Sequence, residues 1–289
     1  MEPNDTNGAP LEWRRHALAE AYRRGLYETI FRRRDIRNFR PDPVPVEVLA
    51  RMLVAAHHAA SVGFSQPWDF IIVRDLERRQ EVQRIFAEER VRNAALFTGA
   101  RRQKFLRLKL EGILEAPLNL IITCEPDRDG PAVLGKTSIR EVEIYSACLA
   151  VGNLWLAARA EGVGVGWVSI LRNDEIRRIF AIPERVIPIA YLCVGYTDEF
   201  PNQPLLETVE WAARIPPRSL IHFDSWDQRC EPNSVNGGPA LADLVQSPVI
   251  WRELFLESKV ESAAAGANGS AGTSLPNDPT RPYREPDKA

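Results

Sequence analysis

Leu118-Asn119-Leu120-Ile121-Ile122-Thr123-Cys124 is apolar enough on both faces to occupy the centre of a sheet. Shorter apolar runs flank it: Phe70-Ile71-Ile72-Val73 before it, then residues 163–170, which carry Gly164 and Gly166, and residues 189–194. Helical periodicity fills the spaces between these runs. Residues 11–31 place Leu18, Ala21, Tyr22, Leu26 and Ile30 at spacings of three and four. Pro45 is placed to start a second helix with Leu49, Leu53 and Ala56 on its apolar face, ending near Ser61-Val62-Gly63. Residues 75–115 read as charged helix with a break at Thr98-Gly99. Residues 142–161 form a strong helix on which Tyr145, Cys148, Leu149, Gly152, Leu156 and Ala160 share a face, and a short helix covers 173–180. The fold class is therefore α/β in the α+β sense: a mixed central sheet flanked by helices over about residues 12–200, followed by an extended C-terminal arm. Residues 239–260 suit one amphipathic helix, and 261–289 have the composition of a disordered tail.

The totals narrow the function. A chain of 289 residues, 45% of them hydrophobic, can bury a sizeable core. Its net charge of −2 argues against a dedicated nucleic-acid binder. No apolar run approaches the roughly 18 residues of a membrane span, and residues 1–16 lack the apolar core of a secretory signal, so a cytoplasmic protein is expected. The four cysteines lack CxxC spacing, and Cys124, Cys148 and Cys193, in apolar surroundings, read as small buried hydrophobes. His57-His58 point about 100° apart on a helix with no carboxylate at ligand spacing, so no metal site is expected.

Against that acidic background stands Arg32-Arg33-Arg34-Asp35-Ile36-Arg37-Asn38-Phe39-Arg40. Guanidinium forks suit phosphate oxygens, and a solvated helix end is the plainer alternative. A second candidate is Ser61-Val62-Gly63-Phe64-Ser65-Gln66-Pro67-Trp68, a Pro-ended loop offering a hydroxyl, an amide and backbone donors to the edge of a heteroaromatic ring. A third is Gly130-Pro131-Ala132-Val133-Leu134-Gly135-Lys136-Thr137, a literal match to the phosphate loop of nucleotide triphosphatases. Its context opposes that reading: acidic residues separate it from the strand, Pro131 lacks an amide donor, and Val133 and Leu134 are bulky. It reads instead as a loop with Lys136 and Thr137 facing a cavity. Gly162-Val163-Gly164-Val165-Gly166 is not a dinucleotide fingerprint; it marks either a tight turn or a close approach of a flat ligand.

Together RRDIRNF (33–39), AAHHAASVGFSQPWDF (55–70), LKLEGILEAPLNLIITC (108–124), GPAVLGKT (130–137), NLWLAARAEGVGVGWVSI (153–170) and PIAYLCVGY (188–196) resemble the FMN-dependent nitroreductase-like superfamily over about residues 12–226. Within it the likeness is closer to the branch that consumes reduced FMN and molecular oxygen to make a dimethylbenzimidazole for cobalamin, releasing erythrose 4-phosphate. Asp35, where ordinary nitroreductases have a small neutral residue, and Ser169 mark that branch. Ala60 and Ser65 depart from its pattern, which has Pro and usually Met there. The resemblance implies a flavin domain over 12–226; outside it, composition and periodicity leave a flexible 1–11, a C-terminal extension over 227–260 with a possible helix, and the tail at 261–289.

The resemblance also implies site roles. Arg33, Arg34 and Arg37, with Ile36 in the same segment and Arg214 further on, bind the phosphate end. Ser61, Gly63, Gln66 and Pro67 line the flavin, Gly166 addresses the ring edge, and Lys109 is a polar contact in a lid formed by helices 85–115. Asp35 moves protons, unless it is only a salt-bridge partner whose pKa the arginines lower. Ser169 positions oxygen, water or flavin. A homodimer with the flavin at its interface is implied, as is a flavin reductase supplying reduced FMN. The alternatives are an NAD(P)H-dependent FMN nitroreductase or flavin oxidoreductase, a P-loop-like nucleotide-binding protein, and a non-catalytic flavin module.

Overall fold

A computed structural model of the chain describes residues 15–128, 130, 134–229, 241–245 and 247. They belong to two compact units, one of residues 32–212 and one of residues up to 31 together with those from 213 onward.

The larger unit is built on a four-stranded sheet of order β1-β2-β4-β3: β1 (Trp68–Val73), β2 (Leu118–Cys124), β3 (Gly164–Val168) and β4 (Ile187–Gly195). The run at 118–124 is a central strand, and all of it is buried. Every strand pairing is antiparallel. The sheet is thus antiparallel rather than mixed as expected; the one parallel pairing among the described residues is an isolated bridge of Asp35 with Val165, on the outer edge of β3. Pro188 lies where the register of β2 on β4 shifts, as a strand residue without an N–H must.

Helices cover both faces. Alternation along the strands sends Leu118, Leu120, Ile122, Leu192 and Val194 to one side, where they pack with α2 (Val46–His57) and α5 (Val142–Ala160). Val73, Ile121, Tyr191 and Cys193 face the other side, against α3 (Leu76–Ala94) and α6 (Asn173–Phe180). Asp75 caps α3, its side chain accepting from Arg78 N. A smaller cluster joins α4 (Gly99–Arg107) through Phe105 to Phe97 and Trp211, with Arg101 lying 4.4 Å over the Trp211 ring. A short α7 (Leu205–Thr208) precedes Trp211.

Several boundaries differ from expectation. The first helix, α1, runs Glu20–Arg32 rather than from residue 11, with residues 15–19 non-helical. The charged helical stretch stops at Arg107, not 115, because residues 108–117 turn inward to bury Leu108, Ile113 and Ala116. On α5 the expected apolar face is the exposed one: Tyr145 and Leu149 are 55% and 53% exposed, and Cys148 is exposed, contrary to its reading as a buried hydrophobe. The core takes Ala147, Ala150, Val151, Leu154 and Ala158 instead. Small residues on that face let the helix approach the sheet closely; this helix is apolar nearly all round, so periodicity alone did not separate its sides.

In the other unit, Leu18 and, on α1, Tyr22 and Leu26 are exposed, and a one-turn α8 (Leu241–Leu244) is described. The expected helix over 239–260 lies mostly outside the described residues, as do the N-terminal segment 1–11 and the tail 261–289. No described helix is long and apolar enough to cross a membrane.

Candidate active site

The arginine-rich segment leaves α1 at Arg32 and lies extended along the edge of β3. Ile36 N donates to Val165 O at 3.0 Å, and Asp35 Oδ1 accepts from Trp167 N at 3.0 Å. This approach requires missing side chains on β3. A Cβ on Gly166 would sit 2.1 Å from Ile36 O, and one on Gly164 would sit 3.0 Å from Ile36 Cγ2. The glycine run thus divides its work. Gly162, at φ +73°, closes the turn after α5, and Gly164 and Gly166 admit the neighbouring backbone.

The cations here have different duties. Arg33 lies flat over the Trp155 ring at 4.7 Å. Arg34 commits its terminal nitrogens to the carbonyls of Arg33 and Asn202, so it orders the segment. Arg37 Nη2 bonds Trp167 O at 2.8 Å and pairs with Asp35. Its Nη1 is buried with no hydrogen-bond partner among the described residues. A buried charged donor left open calls for an acceptor, and an anionic or carbonyl oxygen of a ligand would supply it. Ile36, expected among the contacts, turns its side chain into the core and is 4% exposed; it serves the site through its backbone.

Asp35 shows 44% of its side chain to the site but is crowded by protein elsewhere. Desolvation by that crowding outweighs the attraction of Arg37, the Trp167 N–H and Arg33, and its carboxyl is held above the ordinary carboxylate value. The expectation that the arginines would lower it is therefore corrected. Ser169, just past the end of β3, is exposed and makes no hydrogen bond among the described residues. Beside it Ile170 joins the cluster of Phe105 and Trp211, so α4 stands next to this end of β3. Lys109 reaches Asn38 Oδ1 at 2.8 Å and pairs with Glu115, which places it beside the arginine segment. Arg214 lies in the other unit.

The loop at 61–67 lies elsewhere. It leads into β1, the opposite edge of the sheet, about 14 Å from β3 at three strand spacings. Gly63, Phe64 and Gln66 all have positive φ, at 51°, 58° and 46°. Gln66 N is held by Ser61 Oγ at 3.1 Å and Gln66 Nε2 by Phe64 O at 3.0 Å. Pro67 is buried. Ser65 is 5% exposed with an unpartnered hydroxyl, and it lines a cavity of about 440 Å3 with His57, Phe64, Gln66, Trp68, Asp69, Phe70 and Arg128. The sequence missed Trp155 and Arg128. Trp155 supports Arg33, and Arg128 bonds Gln66 O at 2.9 Å and Trp68 O at 3.1 Å; neither belongs to a local motif, so only the fold reveals them.

The phosphate-loop reading fails on geometry. Residues 134–138 turn without opening a helix, and Lys136 Nζ is already bound to Pro126 O, Asp127 and Glu143. Nor does Lys136 face a cavity: it is largely covered by these partners, and Thr137 is exposed.

Comparison with known proteins identifies the family of the fold. The profile of the nitroreductase family matches residues 30–196. A 5,6-dimethylbenzimidazole synthase of Rhodospirillum rubrum is 41% identical over 196 residues, 68% of this chain and 93% of that protein. One of Rhodobacter capsulatus is 34% identical, with 68% and 95% covered. The solved structure of oxidized iodotyrosine deiodinase bound to FMN and 3-iodo-L-tyrosine superimposes with a TM-score of 0.52 at 25% identity, covering 61% of this chain and 91% of that one.

Proposed function

Because this chain belongs to the nitroreductase family, we propose that it fragments reduced FMN with molecular oxygen, giving 5,6-dimethylbenzimidazole, the lower ligand of cobalamin, and erythrose 4-phosphate. Two relatives carrying that name match nearly their whole length here. The observation that carries the reading is Asp35, a carboxyl of raised pKa held beside a buried, unfilled guanidinium donor. Breaking a flavin ring requires several proton movements, and a positioned carboxyl can carry them.

Bound reduced flavin supplies the electrons and the carbon that becomes the product. The chain supplies the rest. Arg33 and Arg37 hold the phosphate end, with Arg34 and Trp155 fixing their segment. Asp35 accepts and returns protons from its place against the Trp167 N–H. Ser169 and Lys109 offer polar contacts on the same edge. The 61–67 loop takes the ring through Ser61, Gly63, Gln66 and Pro67, and Gly166 supplies backbone at the ring edge. The α4 helix, tied down by Trp211, limits water at the Ser169 end. A separate flavin reductase is the expected source of reduced FMN.

A second copy completes this site. On one chain the arginine segment and the ring loop lie at opposite sheet edges and at opposite ends of α5. Ser146 Oγ accepts from Val62 N at one end, and Trp155 Nε1 donates to Arg34 O at the other. Nine helical steps separate them, about 14 Å. A twofold axis crossing two copies of α5, through the exposed Tyr145, Leu149 and Gly152, would bring the loop of one chain to the arginines of its partner. The whole is a homodimer acting in the cytoplasm.

The test is direct. Purified protein is incubated with FMN, a reducing system and air, and the products are separated by chromatography. Dimethylbenzimidazole and erythrose 4-phosphate should accumulate in equal amounts. Quantitative recovery of FMN, with reductant consumed, would overturn the reading in favour of a nicotinamide-dependent flavin reductase. Asp35→Asn should keep FMN binding and lose product.

A further inference from the structure

The segment that imitates a phosphate loop has a different task. Lys136 Nζ donates to Pro126 O and to Asp127 Oδ1 at 2.7 Å, and it lies 3.1 Å from Glu143 Oε2. Glu143, in the first turn of α5, is 1% exposed, and no described residue hydrogen-bonds its carboxylate. Lys136 is thus the countercharge that makes this burial tolerable.

Gly135 and residues 125–128 brace the ring loop along one side. Gly135, at φ +85°, lies against Val62: a Cβ there would be 3.2 Å from Val62 Cγ2. Val62 N is held by Ser146, one turn along α5 from Glu143. Glu125 N donates to Pro67 O at 2.7 Å, and Arg128 grips the carbonyls of Gln66 and Trp68. The braced loop holds two non-glycine residues, Phe64 and Gln66, in the left-handed region, a conformation that persists only where the surroundings over-determine it.

We propose that Lys136 is a positioning residue for the flavin ring: by joining Glu143 of α5 to residues 126–127, it holds the 61–67 loop in its strained, ring-receiving form. This rests on the reading that the loop takes the flavin. The lock needs a charge beside Glu143 and donors to Pro126 O and Asp127, so arginine replaces lysine in part and methionine does not.

The experiment compares wild-type protein with K136M, K136R and the double variant K136M/E143M. Affinities are measured for FMN, for riboflavin, which has the ring without the phosphate, and for inorganic phosphate. Melting temperature and amide hydrogen exchange of ligand-free protein are followed in parallel. In K136M, FMN and riboflavin should weaken by the same factor, about tenfold, as one preorganised contact surface is lost. Phosphate affinity should not change. Amides of 61–67 should exchange faster while those of β2 and β4 hold. K136R should recover most of the flavin affinity. The double variant, which buries no lone charge, should recover the melting temperature but not the flavin affinity; it also carries the test if K136M does not fold.

Full recovery of riboflavin affinity in K136M/E143M would overturn the proposal, leaving Lys136 as a charge balance only. A lowered melting temperature in K136M with unchanged riboflavin affinity would do the same. If wild-type protein binds neither flavin, the assignment of the loop to flavin fails. Exchange at 61–67 then decides the lock alone: unchanged exchange in K136M refutes it.

Discussion

Gly166→Ala is the substitution that joins fold and site most directly. The added Cβ would stand 2.1 Å from Ile36 O and 2.8 Å from Arg37 Nη1. Backbone cannot swing aside as a side-chain tip can, so the 35–37 segment must retreat by roughly 1.5 Å to reach an ordinary contact. Three hydrogen bonds depend on that approach: Ile36 N to Val165 O, Trp167 N to Asp35 Oδ1, and Arg37 Nη2 to Trp167 O. At about 1 kcal/mol each, partly kept by relaxation, and with overpacking of about 1–3 kcal/mol, the expected loss is about 2–4 kcal/mol. Gly164→Ala meets only the Ile36 side chain, at 3.0 Å, and should cost about 1 kcal/mol. Gly25→Ala, inside α1 with nothing within 4 Å of the new methyl, should stabilise by about 0.5–1 kcal/mol. Urea unfolding of the three variants supplies the ranking, read from midpoints at constant slope. Gly166→Ala should also lose product formation, because Asp35 and Arg37 move with the segment. A Gly166→Ala protein within about 0.5 kcal/mol of wild type, or less affected than Gly164→Ala, would refute the close approach.

Other consequences can be checked separately. Asp35 has a raised folded pKa, so its contribution to stability is complete below the ordinary carboxylate range and is lost as pH rises through the folded value; in paired melts from pH 4 to 7, wild-type protein should lose ground to Asp35→Asn, and a gain would show a depressed pKa instead. Leu149→Lys places a charge on the exposed face of α5; it should leave the melting of the chain nearly unchanged but yield monomers by light scattering that no longer retain FMN, whereas an FMN-loaded dimer would remove this face from the interface. Trp211→Ala removes the ring beneath Arg101 and beside Phe97; hydrogen exchange should quicken across α4 and stay slow in β2, and uniform quickening would show that α4 is not an independent cover. Leu154→Ala, in the fully buried centre of α5, should cost about 2–5 kcal/mol by thermal or chemical unfolding, and a cost under about 1 kcal/mol would contradict the packing of α5 on the sheet.

The sequence alone determined the strands and most helices, because apolar runs of strand length and 3.6-residue spacing are local facts. Leu118–Cys124 was legible as a central strand since neither of its faces tolerates water. The arginine segment and the 61–68 loop were legible as chemistry, since their residue types are unusual in so short a space. Three matters were not legible. Which side of α5 meets the core depends on the small residues Ala147, Ala150 and Ala158 fitting against the sheet, and hydrophobicity does not measure fit. Whether Asp35 is raised or lowered depends on a balance between desolvation and its arginine neighbours, and desolvation is set by chain packed around it from distant parts of the sequence. The partners of Lys136 could not be read from a motif either: its spacing advertised a phosphate, but the charges that reach its ammonium are Asp127 and Glu143, the latter turned inward at the start of α5. Local pattern specifies elements and residue chemistry; burial, countercharge and close backbone approach arise only when separate elements pack, and in this chain those decide the site.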